Sequence, residues 1–152
     1  MPTSKQILTE SQRDLLIRAF NRIIPAEGDF PGAGDLGLAD SLEETIGRTQ
    51  QSIRLFLEGL AQIDITAVQE HGLEFFRLSG AGQDSTLQSV EQSHPAFFNE
   101  LKRQCYNGYY TNPLPQELIG YSRPEPSGYR PVPFDESLLE PQKRRTPFWR
   151  QV

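Results

Sequence analysis

Cysteine is almost absent from this chain, since Cys105 is the only one in 152 residues. A lone cysteine excludes an internal disulfide, a C-x-x-C-H haem attachment site, and the thiolate sets that hold structural zinc or an iron–sulfur cluster. Cys105 falls on the apolar stripe of a predicted helix, so we interpret it as a small buried side chain and not as a reactive thiol.

Clustered positive charge and long apolar runs are missing as well. The net charge of −5 and the pI near 5.1 argue against nucleic-acid binding, which needs a basic face to release counterions. The basic stretch "QKRRTPFWR" near the C-terminus is short, and we interpret it as a tip that docks on a protein partner. No uncharged apolar run approaches the ~18–20 residues that span a bilayer, so no membrane span is predicted.

Residues that could carry out catalysis or bind a metal are equally few. The two histidines, His71 and His94, lack any partner at metal-ligand spacing, and no G-x-S-x-G motif is present. The stretch "GAGDLG" (32–37) matches the dinucleotide fingerprint letter for letter, but a predicted helix precedes it where the fingerprint requires a strand. We interpret it as a structural loop, and we predict no catalytic, cofactor-binding or metal-binding residue in this chain.

What the sequence does contain is helical periodicity. Apolar residues from Leu15 to Ile24 recur on one helical face, Thr9 and Gln12 form a capping-box pattern, and Pro25 marks the end. Further helices are predicted after Asp40 or Ser41, over a long stretch that breaks near Asp64 and ends at Gly72, over 81–92 after a Ser79 cap, and from Pro95 onward. The predicted fold is therefore all-α, a small bundle of five or six short helices.

The composition changes abruptly after Tyr110. Eight of the 12 prolines lie in the last 42 residues, together with several aromatic residues. Proline fixes φ and removes a hydrogen-bond donor, and disordered tails are usually poor in aromatic residues. We therefore predict a helical body over 1–110 and an extended C-terminal arm over 111–152, within the same domain, that becomes ordered by docking its rings on a surface.

Four stretches together resemble the gluconate 2-dehydrogenase subunit 3 family. They are "RIIPAEGDFPGA" (22–33), "GLAQID" with "GLEFFRLS" (59–79), "GYYTNP" (108–113) and "IGYSRP" (119–124). The resemblance covers about residues 8 to 130 and includes the order of the stretches and the change from helices to a tail. It implies the small subunit of a sugar or sugar-acid dehydrogenase.

The resemblance also implies the function and the partners of the chain. A non-catalytic subunit of this kind binds and stabilises a large FAD-dependent flavoprotein of the glucose–methanol–choline class, and some such complexes include a cytochrome c subunit. The FAD is then expected in the partner chain. The alternative is a transient chaperone that assists assembly or export of the flavoprotein and then leaves.

The family resemblance also bears on the cellular compartment of the protein. Many small subunits of this family carry a twin-arginine signal, whereas "MPTSKQILTESQRDLL" contains neither that motif nor a secretory signal pattern. The expectation is a cytoplasmic protein. The periplasm is the alternative if a signal was removed or if the partner carries one.

The candidate interface residues come from two sources. The family pattern maps onto a fixed turn after the first helix and onto the start of the arm, and the remaining candidates are the aromatic residues of the arm, because aromatic side chains are favoured in interface cores. The predicted partner-interface residues are Pro25, Pro31, Gly32, Tyr109, Tyr110, Pro113, Tyr121, Tyr129, Phe134, Phe148 and Trp149.

Overall fold

The computed structural model describes residues 6–122 and 135–144. The chain divides into two compact units, one up to Tyr121 and one from Ser122 onward, and each is described by itself. Within the described residues the secondary structure is helical throughout, and the only β-type pairing is one isolated bridge between Glu27 and Phe30. The predicted all-α fold is confirmed.

The first unit contains six α-helices and two short 3₁₀ segments. The helices are α1 (Glu10–Ile23), α2 (Leu38–Ile46), α3 (Gln50–His71), α4 (Gly80–Ser93), α5 (Pro95–Thr111) and α6 (Pro113–Leu118), and the 3₁₀ segments are Ala33–Leu36 and Phe75–Arg77. In the second unit a 3₁₀ turn over Glu136–Leu139 leads into the short helix α7 (Glu140–Lys143). None of the helices in the described ranges is long and apolar enough to cross a membrane.

Helix α1 begins and ends as its sequence predicts. The Gln12 amide donates to the Thr9 hydroxyl oxygen at 3.2 Å and the Thr9 amide donates to the Gln12 side chain at 3.0 Å, which is the reciprocal capping box. Leu16 and Phe20 are fully buried on its inner face. Because Pro25 cannot continue the helix, the chain turns away after Ile24.

Helix α3 is continuous, so the predicted break near Asp64 is wrong. The buried residues Leu60, Ile63 and Ala67 form one uninterrupted stripe through that point. Asp64 does not break the helix, because its carboxylate accepts a hydrogen bond from the Phe75 amide at 3.2 Å and so holds the returning chain against α3. The helix ends at Gly72 with φ +71°, the left-handed cap that its sequence predicts.

Helix α2 begins at Leu38, earlier than the predicted start after Asp40 or Ser41. Gly37 adopts φ +69° and closes the preceding 3₁₀ turn, so the helix starts directly after it. Leu38 and Ala39 are buried, and Asp40 forms an ion pair with Arg13 of α1 instead of capping α2. Packing against neighbouring helices therefore extends α2 toward its N-terminus.

The start of the predicted extended arm is helical, so that prediction is wrong over Pro113–Leu118. The Asn112 side chain accepts from the Leu114 amide at 3.0 Å and caps α6. Pro113 and Pro115 occupy the first turn, where an amide donor is not needed, so both prolines are compatible with the helix. Helix α6 packs on α5 and belongs to the first unit.

Candidate partner interface

A groove of about 580 Å³ opens between the loop that follows α1 and the end of α5 with α6. We call it the aromatic groove, because two tyrosines and a phenylalanine form much of its surface. It is lined by Ile24, Pro25, Glu27, Gly28, Asp29, Phe30, Tyr109, Tyr110, Pro115, Gln116 and Ile119. The stretches that form it are distant in sequence, and the fold of the first unit brings them together.

One wall of the groove is a tight turn. The Glu27 amide donates to the Phe30 carbonyl at 3.0 Å, and the Phe30 amide donates to the Glu27 carbonyl at 2.9 Å. Gly28 has φ +57°, a conformation that glycine adopts without steric cost. These bonds fix the turn and leave the Phe30 side chain 37% exposed.

The opposite wall is formed by adjacent tyrosines at the end of α5. Tyr109 is buried and its hydroxyl donates to the Pro31 carbonyl at 3.1 Å, which ties α5 to the loop after α1. Burial raises the pKa of Tyr109, with a smaller contribution from Tyr110, so its hydroxyl remains a donor at neutral pH. The Tyr110 ring meets the Tyr109 ring edge-on at 5.3 Å and stacks on Tyr106 at 6.3 Å, yet Tyr110 is 60% exposed.

Helix α6 and the residue that follows it form the third side of the groove. Pro115 is buried, and the Gln116 side chain donates to the Tyr110 carbonyl at 2.8 Å. Past the helix, the Tyr121 amide donates to the Gln116 carbonyl at 2.9 Å, which fixes the chain through Gly120. Ile119 is 63% exposed at the rim, so a large aliphatic side chain faces solvent there.

The "GAGDLG" loop packs against α1, in agreement with its interpretation as structural. The Gly34 amide donates to the Asn21 side-chain oxygen at 2.7 Å, and the Asn21 amide group donates to Asp35 at 3.1 Å. A Cβ atom on Gly34 would lie 2.2 Å from the Ile17 carbonyl oxygen. The glycines therefore allow close packing of the loop on the helix, and the loop follows a helix and a turn where the dinucleotide fingerprint needs a strand.

Cys105 and the two histidines have local structural roles. Cys105 is fully buried as predicted, and burial raises the pKa of its thiol to about 12, so it is not a thiolate at neutral pH. His71 hydrogen-bonds Ser85 at 3.0 Å, and His94 occupies the position that begins α5 and contacts Ser93. Across residues 6–122 and 135–144, no three His, Cys, Asp or Glu side chains are grouped as metal ligands would be.

The predicted interface residues occupy different places. Pro25, Tyr109 and Tyr110 meet in the aromatic groove, and Pro31 lies next to it through its bond to Tyr109. Gly32 is buried and therefore presents no surface to a partner. A Cβ atom there would lie 2.3 Å from the Asn21 side chain, so the glycine allows the loop to pack closely on α1. Pro113 and Tyr121 are exposed in and after α6. The predicted residues outside the described ranges are Tyr129, Phe134, Phe148 and Trp149.

Several exposed apolar side chains at this end of the molecule were not predicted. Phe30 and Ile119 line the groove, and Tyr106, Leu114 and Leu118 are 39 to 46% exposed on α5 and α6. Their sequence signal is weak, because an apolar residue looks the same whether a neighbouring element covers it or not. Only the fold shows that none of the other described helices of the first unit covers them.

Comparison with known protein families finds a match to a family model. The family described as gluconate 2-dehydrogenase subunit 3 matches residues 10–131, most of the chain and all of the aromatic groove. Searches against curated proteins and against solved structures gave no match. Because the family matches residues 10–131, most of its length, the chain belongs to the gluconate 2-dehydrogenase subunit 3 family.

Proposed function

We propose that this chain is a non-catalytic accessory subunit that binds and stabilises a large FAD-dependent flavoprotein of the glucose–methanol–choline class. The flavoprotein holds the FAD and oxidises a hydroxyl of a sugar, sugar acid or glycoside. A cytochrome c subunit that accepts the electrons is a further partner in this proposal. The family of the chain is that of a dehydrogenase subunit, which supports a role inside a larger complex.

The observation that carries the proposal is the exposed apolar surface around the aromatic groove. Tyr110, Ile119 and Tyr121 are each at least half exposed, and Phe30 adds a further ring. Solvent-exposed apolar patches of this kind mark interaction surfaces, and aromatic side chains dominate the binding energy of protein interfaces. The surface is therefore suited to another protein.

The local structure also holds this surface in a fixed shape. Side-chain and backbone hydrogen bonds join the loop after α1 to α5, and α5 to α6. A surface that is already ordered loses little conformational entropy on binding, so more of the contact energy remains as affinity. A rigid groove fits a permanent subunit better than a surface that must fold at each encounter.

Co-expression with a flavoprotein of the glucose–methanol–choline class from the same organism tests the proposal. We expect a complex that stays together during purification, contains flavin and oxidises the sugar substrate. Replacing Tyr110 and Ile119 together by serine should weaken binding by at least ~30-fold, as expected for two interface anchors worth about 2 kcal/mol in total. The matched control replaces Val68 and Phe76, which are 49% and 52% exposed outside the groove, by serine.

Two outcomes contradict the proposal. If the chains purify separately at micromolar concentration, the chain is not a subunit of that flavoprotein. If the flavoprotein keeps full activity and thermal stability after this chain is removed, the chain is a transient assembly chaperone.

A further inference from the structure

We propose that the aromatic groove binds an arginine of the flavoprotein subunit, presented beside an apolar side chain of the same segment. This inference rests on the proposed function and specifies the chemistry of the contact. It starts from the charges of the groove, whose lining includes two carboxylates, Glu27 and Asp29, and no lysine or arginine.

No described basic side chain of the first unit pairs with either carboxylate, so both can bind a partner protein. Both residues are exposed, and inside the range 6–122 neither side chain pairs with a basic residue. The turn uses only backbone groups of Glu27 and Phe30 for its hydrogen bonds, so among residues 6–122 nothing occupies the two carboxylates.

An occupant that is only apolar does not fit these charges. It would remove water from Glu27 and Asp29 without replacing the lost hydrogen bonds, and an uncompensated carboxylate is costly to bury. A cation on the incoming segment compensates that loss. The groove therefore selects a segment that combines apolar area with positive charge.

The tyrosines favour arginine over lysine as that cation. Tyr110 is 60% exposed, and stacking on Tyr106 and edge contact with Tyr109 hold its ring in place. A guanidinium group is planar, stacks on aromatic rings and can bind carboxylates through two parallel hydrogen bonds, whereas an ammonium group is a more strongly hydrated point charge. Ile24, Pro25 and Ile119 supply the apolar contact for the neighbouring side chain.

The first test measures association with the purified flavoprotein subunit at several salt concentrations. Replacing both carboxylates by lysine (Glu27→Lys with Asp29→Lys) should lower the association rate constant about tenfold or more at low salt, because the reversed charges repel an arginine during encounter. The amide variant (Glu27→Gln with Asp29→Asn) should fall between this variant and the wild type. Both variants should also reduce the salt dependence of the rate.

The matched control is Glu44→Lys with Glu70→Lys. These carboxylates are exposed outside the groove near the C-terminal ends of α2 and α3, where a cation is compatible with the helix dipole. The control changes the net charge by the same amount. If it slows association as much as the groove variant does, only net charge matters and the inference is wrong.

The second test identifies the occupant directly. Tyr110 is replaced by the photo-cross-linker p-benzoylphenylalanine in the complex, and the linked peptides are mapped by mass spectrometry. We expect a flavoprotein peptide in which an arginine adjoins an apolar residue, and we expect the same cross-linker at Phe76 to miss that peptide. Linkage to a second copy of this chain, to its own residues beyond 122, or to a flavoprotein peptide without arginine would overturn the inference.

These outcomes separate the inference from the proposed function. If the wild-type chain does not bind the flavoprotein, the proposed function fails. If it binds, and the groove variants bind equally well, the proposed function stands and the arginine contact is wrong.

Discussion

At the scale of single residues, small and polar side chains decide how the loop after α1 is held. Asn21 accepts from the Gly34 amide and donates to Asp35, so one α1 side chain joins both halves of the 3₁₀ turn. Gly34 is buried and lies too close to the Ile17 carbonyl to carry a side chain. This packing fixes the loop from which one wall of the aromatic groove is built.

Replacing Gly34 by alanine should therefore destabilise the protein. The new Cβ would lie 2.2 Å from the Ile17 carbonyl oxygen, and a backbone atom in the middle of α1 cannot move aside alone. We expect the free energy of unfolding to fall by about 1–3 kcal/mol, the usual cost of overpacking, as measured by urea denaturation. Gly82→Ala is the control, because its Cβ would meet only side-chain atoms, Leu78 at 3.3 Å and Ser79 at 3.6 Å, and we expect a change within ~0.5 kcal/mol. Equal effects of the two substitutions would contradict this account.

At the scale of helices, one charged pair joins α1 to α4. The Arg22 guanidinium donates to both oxygens of Asp84, each at 2.6 Å. Hydrogen bonding from Arg22 lowers the pKa of the Asp84 carboxyl below its usual 3.8, although partial burial acts in the opposite direction. Such a bidentate pair fixes the angle between two helices better than a single contact does.

The lowered pKa predicts a dependence of stability on pH. The stabilisation is fully present above the unfolded-state pKa near 3.8, and it is lost as the pH falls through the lower folded-state value. Asp84→Asn should therefore reduce the free energy of unfolding at pH 7 and leave a flatter acid limb. The side chains are 33% and 42% exposed, so solvent screening limits the loss to about 1 kcal/mol. Urea denaturation between pH 2 and 7 measures both effects.

The pair Arg54–Glu58 provides the comparison. Both residues lie on α3 with side chains 80% and 64% exposed, and they join no two elements. Glu58→Gln should reduce the free energy of unfolding less than Asp84→Asn does, because solvent screens an exposed pair within one helix. If it costs as much as Asp84→Asn, the link between helices contributes nothing beyond a surface ion pair.

Helix boundaries that depend on local chemistry could be predicted from the sequence. The capping box at Thr9, the caps at Gly72 and Ser79 and the start at Pro95 are all confirmed. Boundaries that depend on contacts between distant residues could not. Asp64 was predicted to interrupt α3, but its bond to Phe75 makes it part of the packing.

The residues of the candidate site also divide into those that the sequence could predict and those that only the fold shows. The family pattern singled out Tyr109 and Tyr110, because the stretch "GYYTNP" is a local signal. The roles of Phe30 and Ile119 depend on the packing of α5 and α6 beside a turn nearly 80 residues earlier, where the Tyr109 hydroxyl reaches the Pro31 carbonyl. The sequence alone gives no measure of which apolar residues such packing leaves uncovered.

At the scale of the whole molecule, the first unit contains both the core and the complete aromatic groove. The core runs from Leu8 to Tyr109, and α6 with its C-terminal cap adds Pro115 and Ile119 to the groove. Because this unit extends to Tyr121, cutting the chain at the predicted start of the arm would remove part of the groove itself. Two truncations therefore separate the contribution of the groove from that of the remaining chain.

A chain that ends at Ser122 should keep its fold and the groove, whereas a chain that ends at Thr111 should lose α6 and expose the face of α5 that it covers. We expect the melting temperature of the longer form to match that of the full chain, and that of the shorter form to fall by several degrees, about 4 °C per kcal/mol for a domain of this size. The affinity of each form for the flavoprotein then measures how much the residues after its end contribute to binding. If the arm docks as its composition predicts, the form that ends at Ser122 should bind measurably but more weakly than the full chain, and the form that ends at Thr111 should bind weakest. Equal binding by the full chain and the form that ends at Ser122 would show that the arm contributes nothing to the interface.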